Sequence, residues 1–587
     1  IYFFIFIYFI FRFYSLIMEK KQISSCIKPG FIFLAIMIFS ILLSAMQFIP
    51  NLELAEYHIR SSSKLSYDYA STTSMPLQHL ITLFIPNFFG SYLNGTYWGA
   101  YSYSSLAVYF GILPFILVMA SFFKRSMYSA FFSFMAVLSL LIALGKYTPV
   151  HYIFFKLIPG FNLFRVPSRI LFFFVFSLSI LAGFGTNLLI SDKKIIRPLL
   201  KILMVAFSIS LLSLAFIYLA KPAVTSYGSS LLKQRYGSST LELEPLETYA
   251  KKIEPAYNWI ILGFLLLTLT LLSVLALFAL GLKNKISAKS FKILLFLIII
   301  LDLWAYSIHY ISLKDPNEIF SKNDIVEFLN GDKGYYRVLD TTEYPYALPQ
   351  HIAGRYGIDL VTGYDAIVLK YYYEYLGKMA GLAVQPSTTI PIKDIAYPQL
   401  ADLINAKYII SSAELNNSRY SLAFSNGNYS VYMNKKYLPR AFMAPNAVIM
   451  KNKDEILNAL ANGQFDVKDT LILEEDPGIS LRNKGSYKEA FIQYYSPHKI
   501  TVSLNSDTPG FLILSETWYP GWRAYDNGRE IKIYKADYIL RAVYLVKGEH
   551  KVDFVFDPKS LKIGVLITMM SLLAAVLLLA VFWNCKI

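Results

Sequence analysis

Runs of about 20 apolar residues constrain this chain most, because a bilayer core of about 30 Å takes about that many helical residues to cross. Nine such runs occur, at approximately 1–17, 30–50, 104–123, 127–145, 168–190, 199–220, 258–281, 292–312 and 560–583. What lies between them is short of the charge that several soluble domains would need. Only 16% of the 587 residues are charged and 55% are hydrophobic, whereas a soluble protein carries roughly a quarter of its residues as Asp, Glu, Lys and Arg. The sequence therefore predicts an α-helical polytopic membrane domain of about eight helices at 1–312. An α/β region at 313–437, an antiparallel β-sandwich-like module at 438–559 and a C-terminal transmembrane helix at 560–587 follow.

The net charge of +16 would raise nucleic acid as a partner in a soluble protein; here it bears on orientation. Lys20, Lys21 and Lys28, then Lys124 and Arg125, then Lys193, Lys194 and Arg197, then Lys283, Lys285, Lys289 and Lys292 crowd into alternate short loops. These loops read as cytoplasmic, which puts 313–559 outside and predicts no nucleic-acid partner. Cys26 and Cys585 both fall on the cytoplasmic side. Two cysteines make no disulfide framework, and seven histidines with no paired spacing offer no metal site.

The chain opens IYFFIFIYFI, inside an apolar run and without Met, basic n-region or cleavage site. An odd helix count predicts that an N-terminal part precedes it. The other reading is that Met18 is the true start.

In the external block, Lys322–Leu329 and Asp365–Leu376 have helical spacing, Tyr335–Leu339 reads as a strand, and Leu400–Ser411 as a helix end feeding a strand. From 495 to 557 the period falls to two. Six short strands are expected there, with Asn527–Gly528 as a hairpin turn and Phe511–Leu514 as a fully apolar strand.

Phosphate-binding glycine loops and hydrolase elbows are absent, so the usual signatures of ATP-driven transport and dinucleotide chemistry are missing, and no cofactor is implied. Asp302 sits near the centre of a span: a proton relay, or more commonly a side chain bonded to a Ser, Tyr or Trp on the next helix. At the membrane surface, Glu53 offers an external base or a sugar contact, against a simple ion pair with Arg60. Phe164-Arg165-Val166-Pro167-Ser168-Arg169 sets two guanidinium forks at headgroup depth, suited to a lipid phosphate or to plain interfacial anchoring. The Trp518-Tyr519-Pro520-Gly521-Trp522 turn offers rings for stacking on sugars, though core packing or rest on the bilayer interface is commoner.

Four blocks carry a family resemblance: IPNLELAEYHIRSSS at 49–63, FRVPSRILFFFVFSLSILAGFG at 164–185, VTGYDAIVLKYYYEYL at 361–376, and the long LSETWYPGWRAYDNGREIKIYKADYILRAVYLVKGEHKVDFVFDPKSLKIG at 514–564. They resemble the YfhO family of bacterial multi-pass membrane proteins. The resemblance implies a GT-C-like glycosyltransferase fold in the bacterial cell membrane, with a polyprenyl-phosphate sugar donor and an envelope glycopolymer acceptor such as lipoteichoic acid. Arg165 and Arg169 are then expected at the donor phosphate, Glu53 and Arg60 at the site rim, and Trp518 and Trp522 as sugar contacts. The family's key acidic residue follows its first membrane helix, and this chain begins several helices later, so the catalytic base is left unknown. Membrane lipids are partners on any reading. A scaffold or lipid-linked glycan carrier with an external carbohydrate-binding module is the alternative, and ion-coupled transport, resting on Asp302 alone, is a third.

Overall fold

The structure is a computed structural model describing residues 2–20, 24–59, 66–91, 93–100, 103–236, 251–308, 310–343, 346–363, 367–383, 390, 392–479 and 481–584. The chain divides into two compact units: 1–31 with 64–313, and 32–63 with 314–587. The division differs from the four consecutive segments read from sequence, because 32–63 groups with the C-terminal half of the chain. Cys585 and Arg60 lie outside the described residues.

The first unit is helical. Among the described residues, three of its helices are long and apolar enough to cross a membrane, Pro167–Ser191, Lys193–Leu219 and Ile253–Leu282. Helix Ala288–Ser307, which carries Asp302, packs beside the last of these. Other apolar runs give shorter helices: Phe3–Met18, Ile112–Ser121 and Met127–Ala143. The run at 104–123 is interrupted because Gly111 takes φ +97°. Asp302 then receives the freed backbone, its Oδ2 accepting from Ile112 N at 2.8 Å and its Oδ1 from Tyr109 Oη at 2.6 Å. Tyr109 is thus the hydrogen-bonding partner of this buried carboxyl group.

Helix Leu171–Ser191 approaches Ile112–Ser121 closely through Gly185, where a Cβ would lie 1.7 Å from the Leu117 carbonyl oxygen. Small residues let membrane helices meet backbone to backbone. Gly185→Val is expected to cost about 1–3 kcal/mol by overpacking, read as a lowered melting temperature of the purified chain in detergent. An unchanged midpoint would contradict that contact.

In the second unit, the run at 30–50 does not make one straight helix. Ile27–Leu43 and Ala45–Tyr57 meet at 72°, at Ser44, whose Oγ bonds back to the Ser40 and Ile41 carbonyls. Such back-bonding bends helices. The break is closed by the C-terminal helix Lys559–Asn584: Thr568 Oγ1 accepts from Met46 N at 3.0 Å and donates to the Leu43 carbonyl at 3.3 Å. Lys559–Val581 of that helix is a fourth candidate span, and the bent pair would make a fifth. Nine apolar runs therefore yield fewer long helices, since a hydrophobic run records burial and not straightness.

Three sheets complete this unit. The first, mixed, orders Asp359–Leu360, Arg337–Asp340, Ala406–Ser411, Ser430–Asn434 and Tyr420–Ser425. A five-stranded antiparallel sheet runs Phe491–Tyr495, Lys499–Ser506, Gly548–Phe556, Trp522–Asp526 and Arg529–Ile531. Its inner residues Val502, Val552 and Phe554 pack on Leu512, Leu514 and Val543 of a seven-stranded sheet, the face-to-face arrangement of a sandwich. The other face of the seven-stranded sheet, through Phe511, Ile513 and Ala542, packs with Tyr375, Met379, Leu400 and Leu460 from helices Lys370–Ala380, Pro398–Leu403 and Lys453–Ala461. Gly510–Leu514 is accordingly buried throughout, which is why it reads as an unbroken apolar run.

Asn527 and Gly528 take φ +48° and +84°, as an Asn-Gly hairpin requires. A second turn escaped the alternation. Asp537 and Tyr538 also have positive φ, +45° and +71°, and join Tyr534–Ala536 to Leu540–Leu545, so Tyr538 is a turn residue and not a strand residue. The strands of 495–557 also divide between two sheets and recruit Ala441–Ala444, Asn446–Ile449, Thr470–Leu473 and Lys488–Glu489. Helix Lys370–Ala380 starts later than the spacing predicts, with 364–366 outside the described residues.

Candidate functional site

The first unit gathers a basic and aromatic centre around the start of Pro167–Ser191. Pro167 fixes φ at the first helical position, where its missing N–H costs nothing. Val166 before it takes φ +68°, an outlier for a β-branched side chain. Arg165 is half-buried; its Nη1 donates to Tyr69 Oη at 2.8 Å and its guanidinium lies 5.1 Å from the Tyr69 ring centre. Arg169 is exposed one turn on, and Ser168 between them is 1% exposed with an Oγ that finds no hydrogen-bond partner among the described residues. Nearby, Lys146 N donates to Ser74 Oγ at 3.0 Å, and Pro167 lies against Gly145. His151 is buried with Tyr67 and Phe161 each 5.6 Å away. Burial lowers its pKa from 6.5, favouring the neutral ring. Two guanidinium groups, one of them oriented by a tyrosine, beside the start of a long helix and a free hydroxyl suit an anionic oxygen group such as a phosphate.

A second centre lies within the second unit, where Ala45–Tyr57 reaches the aromatic turn. Glu53 hydrogen-bonds Tyr519, whose pKa is raised by burial first and then by Glu53. Tyr57 stands 5.5 Å from Tyr519 and 6.4 Å from Trp518. Trp518 is half-buried against the core, its N–H donating to Ile539 O at 2.6 Å and its carbonyl accepting from Tyr371 Oη. Trp522 carries the Arg541 guanidinium 3.7 Å from its ring centre, with Phe556 at 5.3 Å. Asp557 N donates to Gly521 O at 2.7 Å, which ties the turn to the chain just before the C-terminal helix. Of the residues singled out from sequence, the structure brings Glu53 to the Trp518–Trp522 turn and sets Arg165 and Arg169 about a common helix start. Arg541 already occupies one face of Trp522.

Behind the turn lies a charged network that the sequence did not reveal. Glu516 meets Arg440 Nε at 2.8 Å and Arg337 Nη2 at 3.3 Å, and accepts from Tyr495 Oη at 2.6 Å. Burial would raise this carboxyl, but Arg337, Arg440 and Arg541 outweigh it and hold it at about 2. Arg541, 4% exposed, donates to Thr517 O through Nε and Nη2 at 3.0 and 2.8 Å. Burial brings it down to about 10, with Glu516 opposing. Arg440 and Glu516 are 76 residues apart, and Tyr69 and Arg165 are 96, separations at which no local pattern pairs side chains. The isolated Arg in the apolar strand LRAVYL was the available signal. Among the described residues, no three His, Cys, Asp or Glu side chains gather where a metal would bind.

The family model for "Bacterial membrane protein YfhO" matches residues 480–568. That stretch holds the aromatic turn, Glu516, Arg541 and the first part of the C-terminal helix, while the blocks at 49–63, 164–185 and 361–376 fall outside it. The chain is also similar to the uncharacterized protein YfhO of Bacillus subtilis (strain 168), 26% identical over 120 residues. That stretch is 20% of this chain and spans 14% of the length of that relative. No solved structure matches the chain.

Proposed function

We propose, from the match of residues 480–568 to the family model of bacterial membrane protein YfhO and the similarity to a YfhO protein, that this chain is a YfhO-type membrane protein and a cell-envelope glycosyltransferase of GT-C type. In this reading it moves a sugar from a polyprenyl-phosphate donor to an envelope polymer, such as lipoteichoic acid, on the external face of the membrane. The observation that carries the reading is the Arg165, Ser168 and Arg169 group at the start of Pro167–Ser191. An acceptor hydroxyl would attack the anomeric carbon and lose its proton to a base. The bond from that carbon to the phosphate oxygen would break, and the charge growing on the departing lipid phosphate would meet the two guanidinium groups. Tyr69 acts as a positioning residue for Arg165. A lipid donor needs no nucleotide-binding fold.

A second reading, a non-catalytic scaffold or glycan carrier, is favoured by the aromatic turn, which is fixed to the segment preceding the C-terminal helix and has Glu53 beside Tyr519. One experiment separates the two. In membranes from cells making the full-length protein, Arg165→Ala and Arg169→Ala are each expected to lower transfer of radiolabelled sugar from the polyprenyl-phosphate donor about tenfold to a hundredfold. That is the range for losing a charge-assisted hydrogen bond from a transition state. Undiminished transfer in the double variant would set the enzymatic reading aside for the carrier.

A further inference from the structure

Within the first unit, a cleft of about 290 Å³ opens between helices Ile253–Leu282 and Ala288–Ser307 and the loop at 84–87. Gly263 admits that loop: a Cβ there would lie 2.5 Å from Ile85 Cγ2. The next polar residue of the loop, Asn87, is 5% exposed and lines the cleft, and its Oδ1 has no hydrogen-bond partner among the described residues. A buried carboxamide oxygen left unpaired carries its full desolvation penalty, so an orphan of this kind calls for a partner. Among the other wall residues, Leu269, Leu301 and Trp304 are 50%, 57% and 60% exposed, which sets the mouth of the cleft on the apolar outer surface of these two helices.

The charge of the walls narrows the ligand. Among the described residues no Lys, Arg or His lines the cleft, and its one carboxyl group, Asp302, already accepts from Tyr109 Oη and Ile112 N. A phosphate would face this carboxylate with no cation to offset it. A hydroxyl, in contrast, donates to the carboxamide oxygen and accepts from its N–H, whichever way the amide is turned. The volume lies at the small end of ligand sites, about 300–1,000 Å³, enough for a neutral head and the start of one chain, with the remainder in the bilayer.

We propose that this cleft binds an uncharged lipid by its free hydroxyl, a diacylglycerol or a long-chain prenol, with Asn87 as the recognising side chain and the apolar helix faces holding the chain. This site is independent of the arginine centre and of the transferase reading. The test uses the whole chain purified in detergent and native mass spectrometry with added dioleoylglycerol, undecaprenol or dioleoyl phosphatidic acid. Wild type is expected to retain one neutral lipid. Asn87→Leu, which removes the hydrogen bond, and Ala305→Trp, which fills the cleft without touching Asn87, are each expected to weaken retention about tenfold. Retention of phosphatidic acid should be the same in all three proteins. If Asn87→Leu fails to fold, Ala305→Trp decides. Preference for dioleoylglycerol or for undecaprenol identifies the source of the hydroxyl. Retention of neither, equal retention by the folded variants, or displacement of the neutral lipid by phosphatidic acid as readily as by its own kind would overturn the proposal.

Discussion

Replacing Glu516 with Gln is expected to destabilise the second unit by about 3–5 kcal/mol, the loss found when one partner of a buried ion pair is removed. Arg440 is 3% exposed and Arg337 13% exposed at their side chains. Without the carboxylate, Arg440 keeps Asp359, which is half exposed, Tyr495 and a long contact to Asn405 Oδ1, so its charge has no buried counter-ion among the described residues. Glu516→Met combined with Arg440→Met should recover much of the loss, because an apolar pair of similar volume often replaces a buried ion pair at little cost. The wild-type contribution also has a pH signature. The folded pKa, about 2, lies below the ordinary 4.5, so this stability is fully present above about 4.5 and lost as pH falls towards 2. Denaturation of the purified chain, followed by its tryptophan fluorescence with wild type and variants compared side by side, measures each of these. A Gln variant as stable as wild type at pH 7 would mean that the arginines are satisfied without the carboxylate.

The Asp537 hairpin gives the opposite dependence. Asp537 is fully buried; its Oδ1 accepts from Ile472 N at 2.8 Å, and its Oδ2 has no hydrogen-bond partner among the described residues. Burial pushes its pKa up from 3.8 to about 7, against the Ile472 hydrogen bond. A folded pKa above the unfolded one means that the folded state binds the extra proton. Stability is therefore fully present below about 3.8 and declines as pH rises to about 7, by on the order of 4 kcal/mol. Asp537→Asn keeps the acceptor and removes the charge. It should flatten stability between pH 4 and 7 and leave the protein more stable than wild type at pH 8. A variant that kept the wild-type slope in this window would assign the slope to another group.

Both predictions concern residues that drew no attention in the sequence, for a common reason. Alternation in 499–504 marks which side chains face inward, and there it is legible: Ile500, Val502 and Leu504 are all buried. In 540–545 both faces are buried, and the period puts Arg541 on the face opposite Leu540 and Ala542 without saying what meets it. Its neighbours arrive from Thr517, Glu516 and Trp522. Asp537–Tyr538 lacks a glycine, so its positive-φ turn left no signature of the kind that Asn527–Gly528 displays.

The sequence by itself determined that the chain lies in a membrane, that its hydrophobic excess is concentrated in helices, and that a β-rich region precedes a final apolar helix. These follow from local composition and period, which act over a few turns or a few strands. It also marked Arg165, Arg169, Glu53 and the aromatic turn as unusual. Only the tertiary structure decided that Tyr69 orients Arg165, that Glu53 meets Tyr519, that Asp302 closes an interrupted helix, and that helix Ala45–Tyr57 packs with the C-terminal helix. Each of those depends on backbone breaks and on side chains brought together from distant positions. Such contacts form where buried polar groups must find partners, a requirement that burial creates and that no short stretch of sequence expresses.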